Sequence, residues 1–275
     1  MKKIFFYPFY VLFLLNKFFS KLLRKFNMDF TKWQDLNSRY FFSLITSVSF
    51  NCKKNKRCEI KFFIPNTRTR QRADTLLTKE KDTIKWINDL EEGTTLYDIG
   101  SNVGIYSVYF LAINKGSIVC FEPSFSNLML LSKNINLNKF DKRCVVISNP
   151  LYKINTIKDF TFSTDDFGHS GASVNDNYAA SLANFSIQTM TTTLDHLHDE
   201  KILTKIPGAI KIDVDGNEEK ILRGGKKVIS NKNCKTIIIE NIHANSNIEA
   251  LLLDAGFKNN FNDYESITSN QIWIK

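Results

Sequence analysis

Histidine is scarce in this chain, with 4 among 275 residues, and the five cysteines at 52, 58, 120, 144 and 234 form neither a CxxC pair nor a Cys/His spacing. A structural zinc site is therefore not expected, and free thiols in a reducing compartment are the default for an odd set of unpatterned cysteines. No uninterrupted apolar run reaches the ~20 residues that a membrane-spanning helix needs. The longest candidate, Ile4 to Leu15, contains Pro8 and stops at Asn16-Lys17. That junction also lacks the small residues of a signal-peptide cleavage site, so removal is not expected. Neither G-x-G-x-x-G nor G-x-x-x-x-G-K-[ST] occurs, which weakens dinucleotide and nucleoside-triphosphate readings, a nicotinamide oxidoreductase among them. No internal repeat or low-complexity tract is visible.

What the chain does have is apolar material and regional charge. Hydrophobic residues make up 43%, with 23 Phe, so the chain is expected to fold. Lys and Arg number 37 against 28 acids, a net +9, and much of the excess sits early, at Lys2, Lys3, Lys17, Lys21, Arg24, Lys25, Lys53, Lys54, Lys56 and Arg57. Phe18, Phe19, Leu22, Leu23 and Phe26 interleave with these cations at near-helical spacing. Residues 1–28 thus read either as a segment lying in the membrane interface, in peripheral contact with anionic lipid, or as a short helix packed on the rest of the protein.

Residues 29–93 read as a flank or lid, with a strand at Glu59–Ile64 and a helix from Glu80 to Leu90. From Thr94 the pattern becomes strands alternating with helices, which signals an α/β domain built on a mostly parallel sheet over 94–275. Strands are expected at Thr94–Ile99, Ser117–Phe121, Arg143–Ile147, Ala209–Asp213 and Thr236–Glu240. Helices are expected at Val103–Ala112, Ser126–Asn136 (Leu128, Leu131 and Ile135 facing inward) and Asn217–Ile229. The interval 151–205 is too long for a structureless loop and reads as an added hairpin region over the active-site edge.

Ligands bind beyond the carboxyl ends of strands in such sheets. There the first strand turns into its helix through Asp98-Ile99-Gly100-Ser101-Asn102-Val103-Gly104. Gly100 lets the backbone turn sharply and approach a ligand, and Gly104 lets the helix sit close to its strand. A carboxylate at Asp98 repels a pyrophosphate but suits the ammonium or sulfonium of a zwitterionic cofactor. Glu122, at the end of the next strand, stands where an acid accepts both ribose hydroxyls. Asp98, Gly100, Asn102, Gly104, Glu122 and Asp213 are therefore the expected cofactor contacts, and the ligand they describe is S-adenosyl-L-methionine.

Five blocks in order resemble the FkbM family of methyltransferases: Leu96 to Ser107, Phe121-Glu122-Pro123, Thr192-Thr193-Leu194-Asp195, Lys211 to Glu218, and Ile238-Ile239-Glu240. The likeness runs from about Ile64 to His243, with Thr78-Lys79-Glu80 and Trp86-Ile87 upstream. It implies a Rossmann-like class I methyltransferase fold, a twisted, mostly parallel sheet with helices on both faces, here with an N-terminal helical extension. It also implies O-methylation of sugars or small-molecule hydroxyls. The family usually has Glu where this chain has Asp215, and Ala at Asn217 and Ser101. The shorter acid loses about 1.5 Å of reach, so acceptor geometry is expected to differ while cofactor binding survives.

Methyl transfer to a hydroxyl needs in-line positioning and a group to take the proton. Asp213, Asp215 and His169 are the candidate catalytic residues, and Glu218, Glu240 and His243 the candidate acceptor contacts. Acids in a helix's first turn also offset its dipole, which is the plain structural role open to Asp215 and Glu218. Arg68, Arg70 and Arg72 are expected on a solvated flank. No metal ligand is assigned, and although Mg²⁺ favours oxygen donors of the kind gathered here, a requirement for it is not expected. No Asp/Asn-Pro-Pro-aromatic run follows the fourth strand, so a nucleic-acid partner is not expected. The sequence thus reads as an O-methyltransferase acting on a sugar or small molecule, in the cytoplasm or at the inner face of the membrane on a lipid-linked acceptor. The alternative is a membrane-associated binding protein on a degenerate methyltransferase fold.

Overall fold

The structure, a computed structural model, describes residues 14, 17, 18, 21, 22, 44–52, 56–175, 185–240, 246–260 and 270–275. The chain divides into two compact units, Met1–Leu44 and Ile45–Lys275. In the first, Leu14, Lys17, Phe18, Lys21 and Leu22 are helical and exposed. Among the described residues no helix is long and apolar enough to cross a membrane. The rest of the 1–28 segment, and His243, lie outside the described residues.

The second unit opens with an antiparallel hairpin, β1 (Ile45–Cys52) and β2 (Lys56–Phe63). Two helices follow, α1 (Thr67–Asp74) and α2 (Lys81–Asp89). Asn66 starts α1 through a reciprocal capping box with Thr69. Cys58 is disulfide-bonded, which corrects the expectation of free thiols throughout: the hairpin brings together segments whose pairing the cysteine spacing did not reveal. Cys120, Cys144 and Cys234 are free.

The alternating region then supplies β3 (Leu96–Ile99), α3 (Ile105–Ile113), β4 (Ile118–Phe121), α4 (Phe125–Leu137) and β5 (Cys144–Ile147). After the insertion come β9 (Ala209–Ile212), α6 (Glu218–Gly224), α7 (Lys226–Ser230), β10 (Thr236–Glu240), α8 (Ser246–Asp254), β11 (Lys258–Asn259) and β12 (Asn270–Ile274). The seven strands are ordered β11-β12-β10-β9-β3-β4-β5, parallel from β10 to β5, with β12 antiparallel to both β10 and β11. Every residue of β3, β4 and β9 is buried, which is why they carry apolar residues on both faces rather than alternating, with Asp98 and Lys211 the two charged exceptions. From β3 the chain winds outward to β4 and β5, then returns to β9 on the other side of β3 and winds the opposite way. The β3/β9 boundary is the topological switch point, where such sheets open a crevice.

The insertion forms a three-stranded antiparallel sheet, β6 (Thr156–Phe162) between β7 (Ser173–Asn175) and β8 (Phe185–Thr191). A short helix, α5 (Leu194–Asp199), leads back to the core. One face of the main sheet, with Tyr97, Ile99, Phe121, Ile210 and Ile212, packs against Leu194, Leu197, Ile221, Leu222, Val228 and Leu252 of the following helices. On α4 the buried apolar residues are Leu130, Leu131 and Ile135. Leu128 is only half-buried, because Asn127 takes the inward position and the stripe is rotated accordingly. Two asparagines of α4 fasten the hairpin: Asn134 accepts from the Phe63 N–H, and Asn138 both accepts from and donates to the Lys61 backbone. These side chains do for an unpaired strand edge what a neighbouring strand would do.

Two expected helices are corrected. The first begins at Ile105, not Val103, because Gly104 is left-handed at φ 81° and caps it. The other breaks in two at Gly225. Gly224 there lies so close to the Tyr152 carbonyl that a Cβ would sit 2.1 Å from its oxygen.

Candidate active site

The glycine loop after β3 is fixed by its own backbone before any side chain contributes. The N–H groups of Gly100 and Ser101 both donate to the Phe121 carbonyl, and the Ser101 hydroxyl donates to the Asp98 carbonyl. Gly100 stands at φ 83°, and a Cβ on it would lie 1.9 Å from the carbonyl oxygen of Asp213. Only glycine allows this approach. Asn102, left-handed at φ 51°, follows. Its N–H donates to Glu122 Oε2 at 2.8 Å, while Ser124 N–H donates to Oε1 at 2.9 Å. Burial pushes the Glu122 carboxyl up to about 7 against these two donors.

Beside the loop lies a cavity of about 240 Å³, whose walls include Gly100, Asn102, Glu122, Asp213, Asp215 and Glu240. Arg72, Lys79, Glu80, Asn127 and His169 also line it. An adjoining apolar recess, formed by Ile99, Phe121, Pro123, Pro150, Leu151 and Val174, shares Gly100, Pro123 and Val214 with it. One compartment is thus polar and rich in acids, the other is apolar, and Glu122 lines the polar one beside Pro123, which lines both.

Other residues singled out in the sequence take different places. Asp98 does not line the cavity. It is buried behind the loop, where Ser107 donates to its Oδ2 and the Lys211 ammonium lies 4.0 Å from its Oδ1. Burial raises its carboxyl above the usual range, partly offset by Lys211 and Ser107. Gly104 is packed against Leu131. Asp215 accepts from the Gly171 N–H at 2.5 Å and so latches the β6–β7 loop. Glu218, at the start of α6, is raised to about 7 by burial, with Glu240 and Asp213 adding to the effect.

His169 is engaged at both ring nitrogens. Arg68 Nη1 lies 2.6 Å from Nδ1 and Ser163 Oγ lies 2.8 Å from Nε2. A guanidinium can only donate, so Nδ1 accepts and the proton is on Nε2. Burial and the nearby Arg68 lower the ring's pKa, and in this arrangement the ring has no free lone pair for an acceptor hydroxyl. Its carbonyl in turn accepts from Asn102 and Asn127.

The sequence reading missed three contributors. Arg72 is not on a solvated flank: its Nε donates to the Gly168 carbonyl and it lines the cavity. The spacing of Arg68 and Arg72, four apart on α1, was the available signal. Lys211 was quoted in a motif but given no role, although its ammonium lies 2.6 Å from Asp213. Asn127 joins α4 to the insertion through Gly168 and His169. Among the described residues no group of three or more His, Cys, Asp or Glu side chains is placed to hold a metal ion.

The chain is similar to known proteins. The hexuronic acid methyltransferase AglP of Haloferax volcanii is 24% identical over 170 residues, covering 61% of this chain and 64% of the relative. This chain therefore spans less than two thirds of that protein. Among solved structures, the methyltransferase FkbM of Methylobacillus flagellatus aligns with a TM-score of 0.44 and 16% identity, covering 66% of this chain and 44% of that one. Aeropyrum pernix fibrillarin, in complex with S-adenosyl-L-methionine, aligns with a TM-score of 0.41 and 9% identity over 83% and 92% of the two chains. The model of the methyltransferase FkbM domain matches residues 98–259, more than half the chain. With the switch-point crevice, the glycine loop and the acid after β4 in their places, the chain has the Rossmann-like class I fold and belongs to the FkbM methyltransferase family.

Proposed function

We propose that this protein transfers the methyl group of S-adenosyl-L-methionine to a hydroxyl oxygen of a sugar. The observation that carries this reading is Glu122, a buried carboxylate held by two backbone N–H groups in the wall of a polar cavity, next to the Pro123 that this cavity shares with an apolar recess. When bound, the cofactor supplies an electrophilic methyl on a sulfonium. The chain's task is to orient it and to receive the acceptor in line. Glu122 accepts the ribose hydroxyls, Gly100 and Asn102 form the floor, and the apolar recess takes the adenine. Arg72 and Lys79 offer counter-charge to the cofactor's carboxylate, and Glu80 to its ammonium. Asp98 acts from behind, by holding α3 to the loop through Ser107.

The acceptor enters on the Asp213 side. Lys211 outweighs the effect of burial and keeps Asp213 below the usual carboxylate range, so Asp213 is ionised at neutral pH and accepts the hydrogen bond of the hydroxyl to be methylated. Glu218, Glu240 and His243 are the acceptor contacts of this reading, and Asp215 shapes the site through the loop it latches. The relative named for hexuronic acid methylation supports a sugar as the acceptor class.

Calorimetric titration with S-adenosyl-L-methionine tests the first half. Binding is expected in the wild type, with a loss of at least about tenfold in Glu122→Ala. Micromolar affinity retained in both Glu122→Ala and Asp98→Ala would sink the reading. A mass-shift screen of neutral and acidic sugar nucleotides and extracted lipid-linked glycans tests the second half. Cofactor binding without turnover on any of these acceptors points to the alternative of a binding protein.

A further inference from the structure

Lys211 enters the mechanism above only through its charge on Asp213, yet it does not line the cavity and is almost wholly buried. It lies on β9, between β3 and β10, in register with Asp98 on one side and Ile238 on the other. Its side chain is 5% exposed. The ammonium donates to Asp213 Oδ2 at 2.6 Å and lies 4.0 Å from Asp98 Oδ1, an oxygen with no hydrogen-bond partner in the structure. The Tyr106 ring lies 5.4 Å away. A lysine buried in a central strand is costly unless its charge is answered, and here carboxylates on two segments answer it.

Asp213 has a second partner. It shares a hydrogen bond with Glu240 at the end of β10, and both acids line the cavity. Two carboxyl groups that hydrogen-bond to each other hold one proton between them, and a neighbouring charge decides which keeps it. The nearby cation of the pair is on the Asp213 side, behind the cavity wall.

We propose that Lys211 is a positioning residue for the transfer reaction: it fixes Asp213 as the anion of the Asp213–Glu240 pair and so leaves the shared proton on Glu240. Its purpose rests on the methyl-transfer reading, since an ionised Asp213 is what receives the acceptor hydroxyl, but its measurement does not. The other groups around the pair are Asp98 of β3, Glu80 ahead of α2, Tyr106 of α3, Arg72 of α1 and Glu218 of α6. Of these only Arg72 is a cation; it also lowers Asp213, but less than Lys211, whose ammonium donates to Asp213 Oδ2 at 2.6 Å.

The test is a pH titration of the ¹³C-labelled side-chain carboxyls in the full chain by NMR, with signals assigned through Asp213→Asn and Glu240→Gln. In the wild type Asp213 is expected to titrate below the usual carboxylate range and Glu240 after it. In Lys211→Met the proton affinity of Asp213 rises at least about tenfold, one pH unit, and Lys211→Arg restores it. If Lys211→Met does not fold, the double variant Asp98→Asn/Lys211→Met removes the unanswered buried charge and is expected to show the same rise. An Asp213 step within about twofold of wild type in either folded variant overturns the proposal. Titration of the wild type with S-adenosyl-L-homocysteine separates the two ideas. Failure to bind counts against the methyltransferase reading alone, whereas binding with an unmoved Asp213 step counts against the role of Lys211.

Discussion

Glu122 combines two conditions that pull against each other: it is buried, and it is hydrogen-bonded as an anion by Asn102 and Ser124. Burial wins and raises its carboxyl from 4.5 to about 7. The folded chain thus holds this proton more tightly than the unfolded chain does. Stability is expected to fall as pH rises from 4.5 to about 7, by up to about 3 kcal/mol from this group. Glu218, raised to a similar value, adds a slope of the same sign. On the proposed reading cofactor affinity should move the opposite way, because the ribose hydroxyls would donate to the ionised form. It is expected to climb through about pH 7 and then level off in the wild type, and to be weak and flat in Glu122→Gln. Calorimetry across neutral pH measures this, and a flat wild-type profile would remove Glu122 from the ribose site.

At the level of elements, the glycine loop is decided by neighbours as much as by its own torsions. Gly93 and Gly100 have nearly the same backbone, φ 88° and 83°, but a Cβ at Gly93 meets nothing within 4 Å whereas one at Gly100 would collide with the Asp213 carbonyl. Gly93→Ala is therefore expected to cost only the left-handed strain, about 1–2 kcal/mol. Gly100→Ala should cost at least about 4 kcal/mol and abolish cofactor binding; equal melting temperatures for the two variants would contradict this. The same contrast explains what could be read in advance. Strands β3, β4, β9 and β10 were legible because burial on both faces leaves apolar runs in the chain itself. Strand β1, Ile-Thr-Ser-Val-Ser-Phe-Asn-Cys, was missed because its half-exposed face is polar and its pairing is with β2. Helix α1 was missed because Thr-Arg-Thr-Arg-Gln-Arg-Ala-Asp has almost no apolar stripe, and its local signal was the Asn66/Thr69 cap. In the site, Gly100 and Glu122 were legible from their spacing around a strand end. The inward turn of Asp98 was not, since it depends on a lysine brought opposite by the β3–β9 register.

At the scale of the whole molecule, the sheet's reversal at β3/β9 puts the glycine loop and the end of β9, the proposed cofactor and acceptor sides, back to back. Gly100 rests on the Asp213 carbonyl, and Asp213 N–H in turn donates to the Ile99 carbonyl. Residues from both sides of this contact line one cavity, so the proposed cofactor and acceptor would meet there. Such neighbours are thermodynamic partners: whatever factor the acceptor adds to cofactor affinity, the cofactor must return to acceptor affinity. Once an acceptor is identified, that factor is expected to be about fivefold or more, measurable by titrating S-adenosyl-L-homocysteine with and without it. Independent binding would mean that the contact yields. The product complex would inherit the same coupling, so the spent cofactor should leave more slowly while the methylated sugar is still in place, and release would follow an order set by this single contact.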